Sequence, residues 1–302
     1  MQKSLLEQVV DRISTLNPLH SKKVKRNLKK MDEAYFRRAD AFLNRYNSLL
    51  GNEGKDLEYG IDCYLKMIAD VNFESVQFAQ TGEYTSKSFD EVNARVYSDP
   101  EVMEYYMHGL VMSQFLWVHH YDILLHFNDV ITRSKKNIKR YLEVGGGHGL
   151  YISEAISIIG SGAIYDLVDI SKSSIEIARK MISNDTVNYN LLDVFEYFPA
   201  SKYDFITMGE VLEHVEDPVR LLKKLHSLVN DEGKVYVTTP TNAPAIDHIY
   251  LFKNADDIRN VIKEAGFSIE EERCIYAEDV TPEFAEQYKI SMMFAGVLVK
   301  AK

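Results

Sequence analysis

The stretch Tyr141-Leu142-Glu143-Val144-Gly145-Gly146-Gly147-His148-Gly149-Leu150 decides how this chain is read. A β-branched and apolar run leads into four glycines, and a helical pattern starts straight after them. Glycine is needed where a strand turns sharply into a helix while its backbone lies against a bound ligand, because no Cβ intervenes. A glycine loop alone also fits an ordinary strand–helix turn, so its context decides what it holds.

Further on, Ile164-Tyr165-Asp166-Leu167-Val168-Asp169 is a short strand pattern ending in an acid. A carboxylate at the tip of a second strand accepts hydrogen bonds from the hydroxyls of a ribose. A third acid, Asp193, follows another short apolar segment and is placed to receive an adenine amino group, with Val194 and Phe195 beside the ring. Then Tyr203-Asp204-Phe205-Ile206-Thr207-Met208-Gly209-Glu210 reads as a fourth strand running into a polar tip.

In this order, Glu143-x-Gly145-x-Gly147-x-Gly149, Asp169, Asp193 and the 203–210 segment resemble the successive motifs of class I S-adenosylmethionine (SAM)-dependent methyltransferases. The resemblance runs from Tyr141 to Lys302. It implies an α/β fold: a Rossmann-like seven-stranded sheet, preceded here by a helical N-terminal cap. It also implies that Gly145, Gly147 and Gly149 pass the methionine part of SAM, that Asp169 holds the ribose and Asp193 the adenine, and that Glu143, Ile170, Val194 and Glu210 lie along the cofactor. A nicotinamide dehydrogenase would carry Gly-x-Gly-x-x-Gly. Here the glycines are evenly spaced and position 150 is Leu, so that fingerprint fails.

At 302 residues the chain is long enough for one large domain or two smaller ones. The expected division is a helical cap over residues 1–133, serving substrate or dimer contacts, and a SAM-binding domain over residues 134–302. Only two cysteines, Cys63 and Cys274, occur, outside any metal-type spacing, which fits a reducing compartment. The N-terminus lacks a secretory apolar core, and no apolar run approaches the roughly 20 residues that span a bilayer. A cytoplasmic protein with no membrane contact is expected. The formal net charge of −10 sets a nucleic-acid partner against net repulsion. One basic cluster, Lys22, Lys23, Lys25, Arg26, Lys29 and Lys30, is either a solvated helix face or a dock for an acidic or phosphate-bearing partner such as a carrier protein.

Up to about residue 130 the pattern is mostly helical, as in the spacing of Leu5, Leu6, Val9, Val10, Ile13 and Leu16. A third helix is expected over roughly Asp56 to Ala69, and a loop over Thr81 to Ser88. Ser98-Asp99-Pro100-Glu101 reads as a capping box with Ser98 as N-cap. The helix it starts, Met103 to Phe127, is apolar nearly all round and therefore buried. It is expected to form a spine between the two parts of the chain, with a few residues lining the pocket; His119 and His120 read as packed or surface histidines. The aromatic residues of Tyr105 to Tyr121 leave a homodimer open. From Tyr141 onward strands and helices alternate, which means a parallel sheet covered on both faces. Asp231-Glu232-Gly233 reads as the turn before a strand at Val235–Thr239. Phe267–Cys274 and Ser291–Val299 close the sheet, in the resembled family as an antiparallel hairpin.

Ligands in open parallel sheets lie at the carboxyl ends of the strands. The loop after the fourth strand carries Glu210-x-x-Glu213-His214, and the loop after the fifth carries Asp247-His248. Glu-x-x-Glu-His with a distal histidine resembles the metal site of small-RNA 2′-O-methyltransferases and ubiquinone-pathway O-methyltransferases. Carried over, Glu210, Glu213, His214 and His248 would hold a divalent ion, with Mg, Mn, Fe or Zn all compatible with two carboxylates and two imidazoles. Without a metal, His214 and His248 are the candidates for the base that takes a proton from an acceptor hydroxyl. In a third reading Glu213 and His214 organise the loop and cap a helix, and Asp247 is the true polar contact. The expected activity is methyl transfer from SAM to a small-molecule acceptor, foremost O-methylation in specialised metabolism. N- or C-methylation, an RNA 2′-O-methyltransferase and a non-catalytic SAM-binding subunit are the rivals.

Overall fold

A computed structural model describes residues 3–182 and 186–302. The first half is helical because each turn has its own start signal. Ser4 and Glu7 form a reciprocal capping box at α1 (Leu5–Leu16), and Asn17 with Pro18 opens α2 (Pro18–Leu28). Asp32 caps α3 (Glu33–Asn52), Asp56 caps α4 (Leu57–Thr81), and Gly82 ends α4 in the left-handed region. The third helix thus runs a further three turns past Ala69. A short helix α5 (Phe89–Val92) leads through a π-turn at Asn93–Tyr97 into α6 (Pro100–Leu116), followed by α7 (Val118–Ser134).

Two expectations for this region need correction. The N-cap of α6 is Asp99 rather than Ser98: its carboxylate accepts from the N–H groups of Glu101 and Val102, with Pro100 at the first helical position. The expected single helix to Phe127 is broken at Trp117, whose backbone is extended (φ −108°, ψ 115°). Nothing in the local sequence breaks it. The indole N–H reaches the Tyr64 hydroxyl on α4 at 3.0 Å, and the chain turns to allow it. The burial of α6 is as expected: Met103, Tyr106, Met107, Val111, Met112 and Phe115 cover its circumference. It packs against α4 and α7 on one side and reaches α9 of the sheet domain on the other.

The sheet follows as β1 (Arg140–Val144), β2 (Ile164–Asp169), β3 (Val187–Leu191), β4 (Tyr203–Gly209), β5 (Val229–Thr241), β6 (Phe267–Tyr276) and β7 (Met292–Lys300), in the order β3-β2-β1-β4-β5-β7-β6. The first five strands are parallel, and β7 inserts antiparallel between β5 and β6. This is the seven-stranded arrangement with a closing hairpin that the sequence led us to expect. One detail differs. Residues 231–233, expected as a turn, lie inside a longer β5, where the ladder to β4 jumps from Val229 opposite Tyr203 to Lys234 opposite Phe205.

Side chains alternate across the sheet. Tyr141, Tyr165, Phe205 and Tyr236 face one apolar cluster, shared with α8 (Leu150–Ile159), α9 (Lys172–Ile182) and the N-terminal helices. Leu142, Val144, Ile206 and Met208 face the other, under α10 (Pro218–Leu228) and α11 (Ala255–Glu264). A last short helix, α12 (Pro282–Gln287), precedes β7. The first cluster explains why the cap and the sheet hold together. Phe127 of α7 is fully buried, with Tyr151 at 4.7 Å and Tyr236 at 5.3 Å between ring centres. Each such pair adds about 0.5–1.5 kcal/mol beyond the area it buries. None of the described helices is long and apolar enough to cross a membrane.

The loop from β1 to α8 is built from Gly145, Gly147 and Gly149, all at positive φ. It is held from behind by Glu143, whose carboxylate accepts from the Ile152 N–H at 2.6 Å in the first turn of α8. Burial drives the Glu143 carboxyl up to about 8 from an ordinary 4.5, only partly opposed by that hydrogen bond. The folded state therefore holds the proton more tightly than the unfolded chain. The resulting stabilisation is complete below about pH 4.5 and is lost as pH rises through 8. In thermal unfolding, Glu143→Gln should melt above the wild-type protein at alkaline pH, with the gap closing toward pH 5. Parallel melting curves across that range would refute the assignment.

Candidate active site

A cavity of about 500 Å³ opens at the carboxyl ends of β1, β2 and β4. Gly145 and Gly147 form its floor. A Cβ on Gly145 would strike Val211 Cγ2 at 2.4 Å, whereas one on Gly147 would point into open space with only Met107 Cε nearby, at 3.8 Å. Gly147 thus bares its backbone to the cavity. Asp169 stands beside it, its two oxygens accepting the N–H groups of Gly147 (3.1 Å) and Ser171 (2.7 Å). Burial raises the Asp169 carboxyl to about 6, against the pull of these two bonds. Ile170, Asp193, Val194 and Phe195 complete the far wall, and the Asp193 side chain caps its own turn by accepting from the Phe195 N–H.

Two residues expected on the cofactor do not line this cavity. Glu143 is turned away to α8, as described, and Gly149 packs against α9, where a Cβ would meet Ile182 Cδ1 at 2.7 Å. Both shape the loop from behind.

The loops after β4 and β5 meet at the same end. Glu213 is fully buried; one oxygen accepts from the Thr239 hydroxyl at 2.8 Å, and the other, Oε1, has no hydrogen-bond partner. The His214 Nδ1 lies 2.9 Å from the Asp247 carbonyl, which only accepts, so Nδ1 carries the hydrogen and Nε2 the lone pair. The same argument applies to His248, whose Nδ1 donates to the Ala243 carbonyl at 2.5 Å. Glu213, His214 and His248 each offer one ligand atom, all within 4.8 Å of one another. A buried carboxylate oxygen without a partner beside two imidazoles with uncommitted nitrogens suits a divalent cation.

Glu210 stands outside this group and corrects the four-residue expectation. Its backbone is left-handed (φ 54°), and its carboxylate leans toward α7, 3.8 Å from His120 Nε2. Burial raises Glu210 and Glu213 each to about 7. Burial also works against a charged His214, but Asp247, Glu213 and Glu210 outweigh it and leave that ring above the ordinary histidine value. Burial lowers His248 to about 4. A second carboxylate–histidine group, Glu53, Glu104 and His108, is filled by the Lys55 ammonium, which bridges both carboxylates.

Several neighbours escaped the sequence reading. Tyr97 reaches His214 Nδ1 at 3.1 Å, and Tyr106 donates to Asp247 at 3.0 Å. Asp247, raised only as the alternative contact beside His248, is the acid that joins both tyrosines to the loop. A second cavity of about 690 Å³ lies between the cap helices and the ends of β5 and β7. Tyr106, Leu110 and Glu210 line both cavities, which therefore meet at these three residues. At its outer rim the basic cluster finds internal partners: Lys23 and Arg26 pair with Glu278, and Lys30 with Asp279.

Residues 127–272 match the family model of a methyltransferase domain. A ubiquinone biosynthesis O-methyltransferase of Coxiella burnetii is 34% identical over 127 residues, 41% of this chain and 53% of that protein. A malonyl-[acyl-carrier protein] O-methyltransferase of Ilyobacter polytropus is 30% identical over 112 residues, 37% of this chain and 41% of that protein. The chain thus spans about half the length of the curated relatives it matches. Among solved structures, mitomycin 7-O-methyltransferase superposes with a TM-score of 0.54 at 14% identity, over 77% of this chain and 68% of its own, which shows a shared fold. Residues 127–272 are thus similar to a methyltransferase domain, and the strand order agrees with the Rossmann-like fold shared with that structure.

Proposed function

We propose that the protein transfers the methyl group of SAM to a hydroxyl of a small-molecule acceptor. The observation that carries this reading is the pair of cavities joined at Tyr106, Leu110 and Glu210, one over the glycine loop and one under the cap. SAM would occupy the first, with its methionine along Gly145 and Gly147, its ribose on Asp169, and its adenine at Asp193 between Val194 and Ile170. The second, roofed by residues 1–133, would hold the acceptor. The names of the relatives, both O-methyltransferases, favour oxygen as the accepting atom.

Methyl transfer is an in-line displacement. The acceptor oxygen forms the new bond to carbon, the carbon–sulfur bond breaks, and its electron pair returns to sulfur. Holding oxygen, carbon and sulfur in line supplies much of the acceleration, up to about 7–11 kcal/mol. The cap helices serve this by closing the junction from above and excluding water. Methyl transfer from labelled SAM into a small-molecule extract of the source organism should place label in a small molecule. Label appearing only in RNA or protein, or no S-adenosylhomocysteine formed at all, would contradict the reading.

Glu213, His214 and His248 fit a divalent ion, which when bound would lower the pKa of a nearby acceptor hydroxyl. These residues would also hold it without substrate, so the site can be tested on the protein alone. Metal-stripped protein titrated with Mn²⁺ and followed by electron paramagnetic resonance should bind one ion per chain. That binding should vanish in Glu213→Gln and His248→Gln and persist in Glu210→Gln. Equal binding in all four proteins, or none in the wild type, would remove the metal from the account.

A further inference from the structure

The wall of the acceptor cavity holds a histidine that plays no part in the transfer as proposed above. His120 lies on α7, is 5% exposed, and lines the cavity beside the junction. Its tautomer is fixed by a chain of two hydrogen bonds. The Ser113 hydroxyl donates to the Leu110 carbonyl at 2.8 Å, which commits its only proton. Ser113 Oγ can then only accept from His120, whose Nδ1 lies 3.2 Å away. The hydrogen is therefore on Nδ1 and the lone pair on Nε2. Trp117 at 4.8 Å and His119 at 4.6 Å between ring centres fix the ring plane. The Nε2 atom faces Glu210 Oε2 across 3.8 Å, too far for a direct hydrogen bond, at the boundary shared by the two cavities.

We propose that His120 is the catalytic residue that takes the proton from the acceptor, and that the acceptor is a neutral hydroxyl on an apolar, aromatic frame. This rests on the reading of the protein as a hydroxyl methyltransferase. As the acceptor oxygen bonds to the methyl carbon and the carbon–sulfur pair returns to sulfur, the O–H proton passes to Nε2. One positive charge leaves the sulfonium and one appears on the imidazole, facing the Glu210 carboxylate. The two histidines of the loops after β4 and β5, His214 and His248, are less suited. Each commits Nδ1 to a backbone carbonyl and offers its other nitrogen to the Glu213 group. Burial lowers the His120 ring to about 3, which leaves its lone pair free at neutral pH. The Glu210 carboxyl group, 3.8 Å away, is then the group that must meet the charge the ring gains in the transfer. The walls of the cavity explain the frame: Phe78, Trp117, Tyr106, Met67 and Met293 offer flat or pliable apolar surface.

The test compares catechol with 4-nitrocatechol as acceptors, the second being largely ionised near neutral pH and needing no base. In His120→Gln, methylation of catechol should fall by about 100-fold or more, while 4-nitrocatechol loses far less and S-adenosylhomocysteine binds as in the wild type by calorimetry. His120→Asn, whose amide can still reach Ser113, should repeat the pattern should the glutamine variant not fold. Equal loss with both acceptors, or loss with neither, would overturn the role of His120 and leave the methyl transfer intact. Wild-type protein that labels molecules in an extract but neither catechol would overturn the acceptor class. Wild-type protein that labels nothing would overturn the proposed function, and this inference with it.

Discussion

The left-handed backbone at Gly145, Gly147 and Gly149 is the constraint on which the site depends. It turns the chain from β1 into α8 within a few residues and leaves the peptide at Gly147 uncovered. Two buried carboxylates keep it there: Glu143 from behind, on the first turn of α8, and Asp169 from the next strand, on the Gly147 N–H. Both are held where burial disfavours their charge. Stability is traded for a cavity floor that is already shaped before any ligand arrives.

The second constraint is α6. A helix buried on every side has no free face, so it must be packed by two bodies at once. Here it is packed by α4 and α7 on one side and by α9 on the other, and Tyr106 and Leu110 are left between the two cavities. The cap is thereby joined to the sheet through residues that line both cavities. Lys23, Arg26 and Lys30 add a second tie at the rim, exposed and correspondingly weak.

What was legible in the sequence was whatever is encoded by local spacing. The parallel strands, the closing hairpin, the glycine turn and Asp169 all follow from patterns a few residues long. The misses have a common cause. The helix breaks at Trp117, where the indole N–H bonds Tyr64, more than fifty residues away in the chain, and nothing among its neighbours in sequence marks the break. Glu210 leaves the expected metal group because its own backbone is left-handed, and nothing in Glu-x-x-Glu-His marks that. Tyr97, Tyr106 and His120 join the site only because the cap folds over it. The shift of the α6 cap from Ser98 to Asp99 is of another kind, since both side chains can accept from the first-turn N–H groups.

The most direct measurement is a crystal structure of the protein with S-adenosylhomocysteine. The account predicts the ribose hydroxyls on Asp169, the homocysteine along Gly145 and Gly147, and the sulfur facing the junction of Tyr106, Leu110 and Glu210. A nucleoside bound elsewhere, or a sulfur turned away from the cavity under the cap, would contradict it.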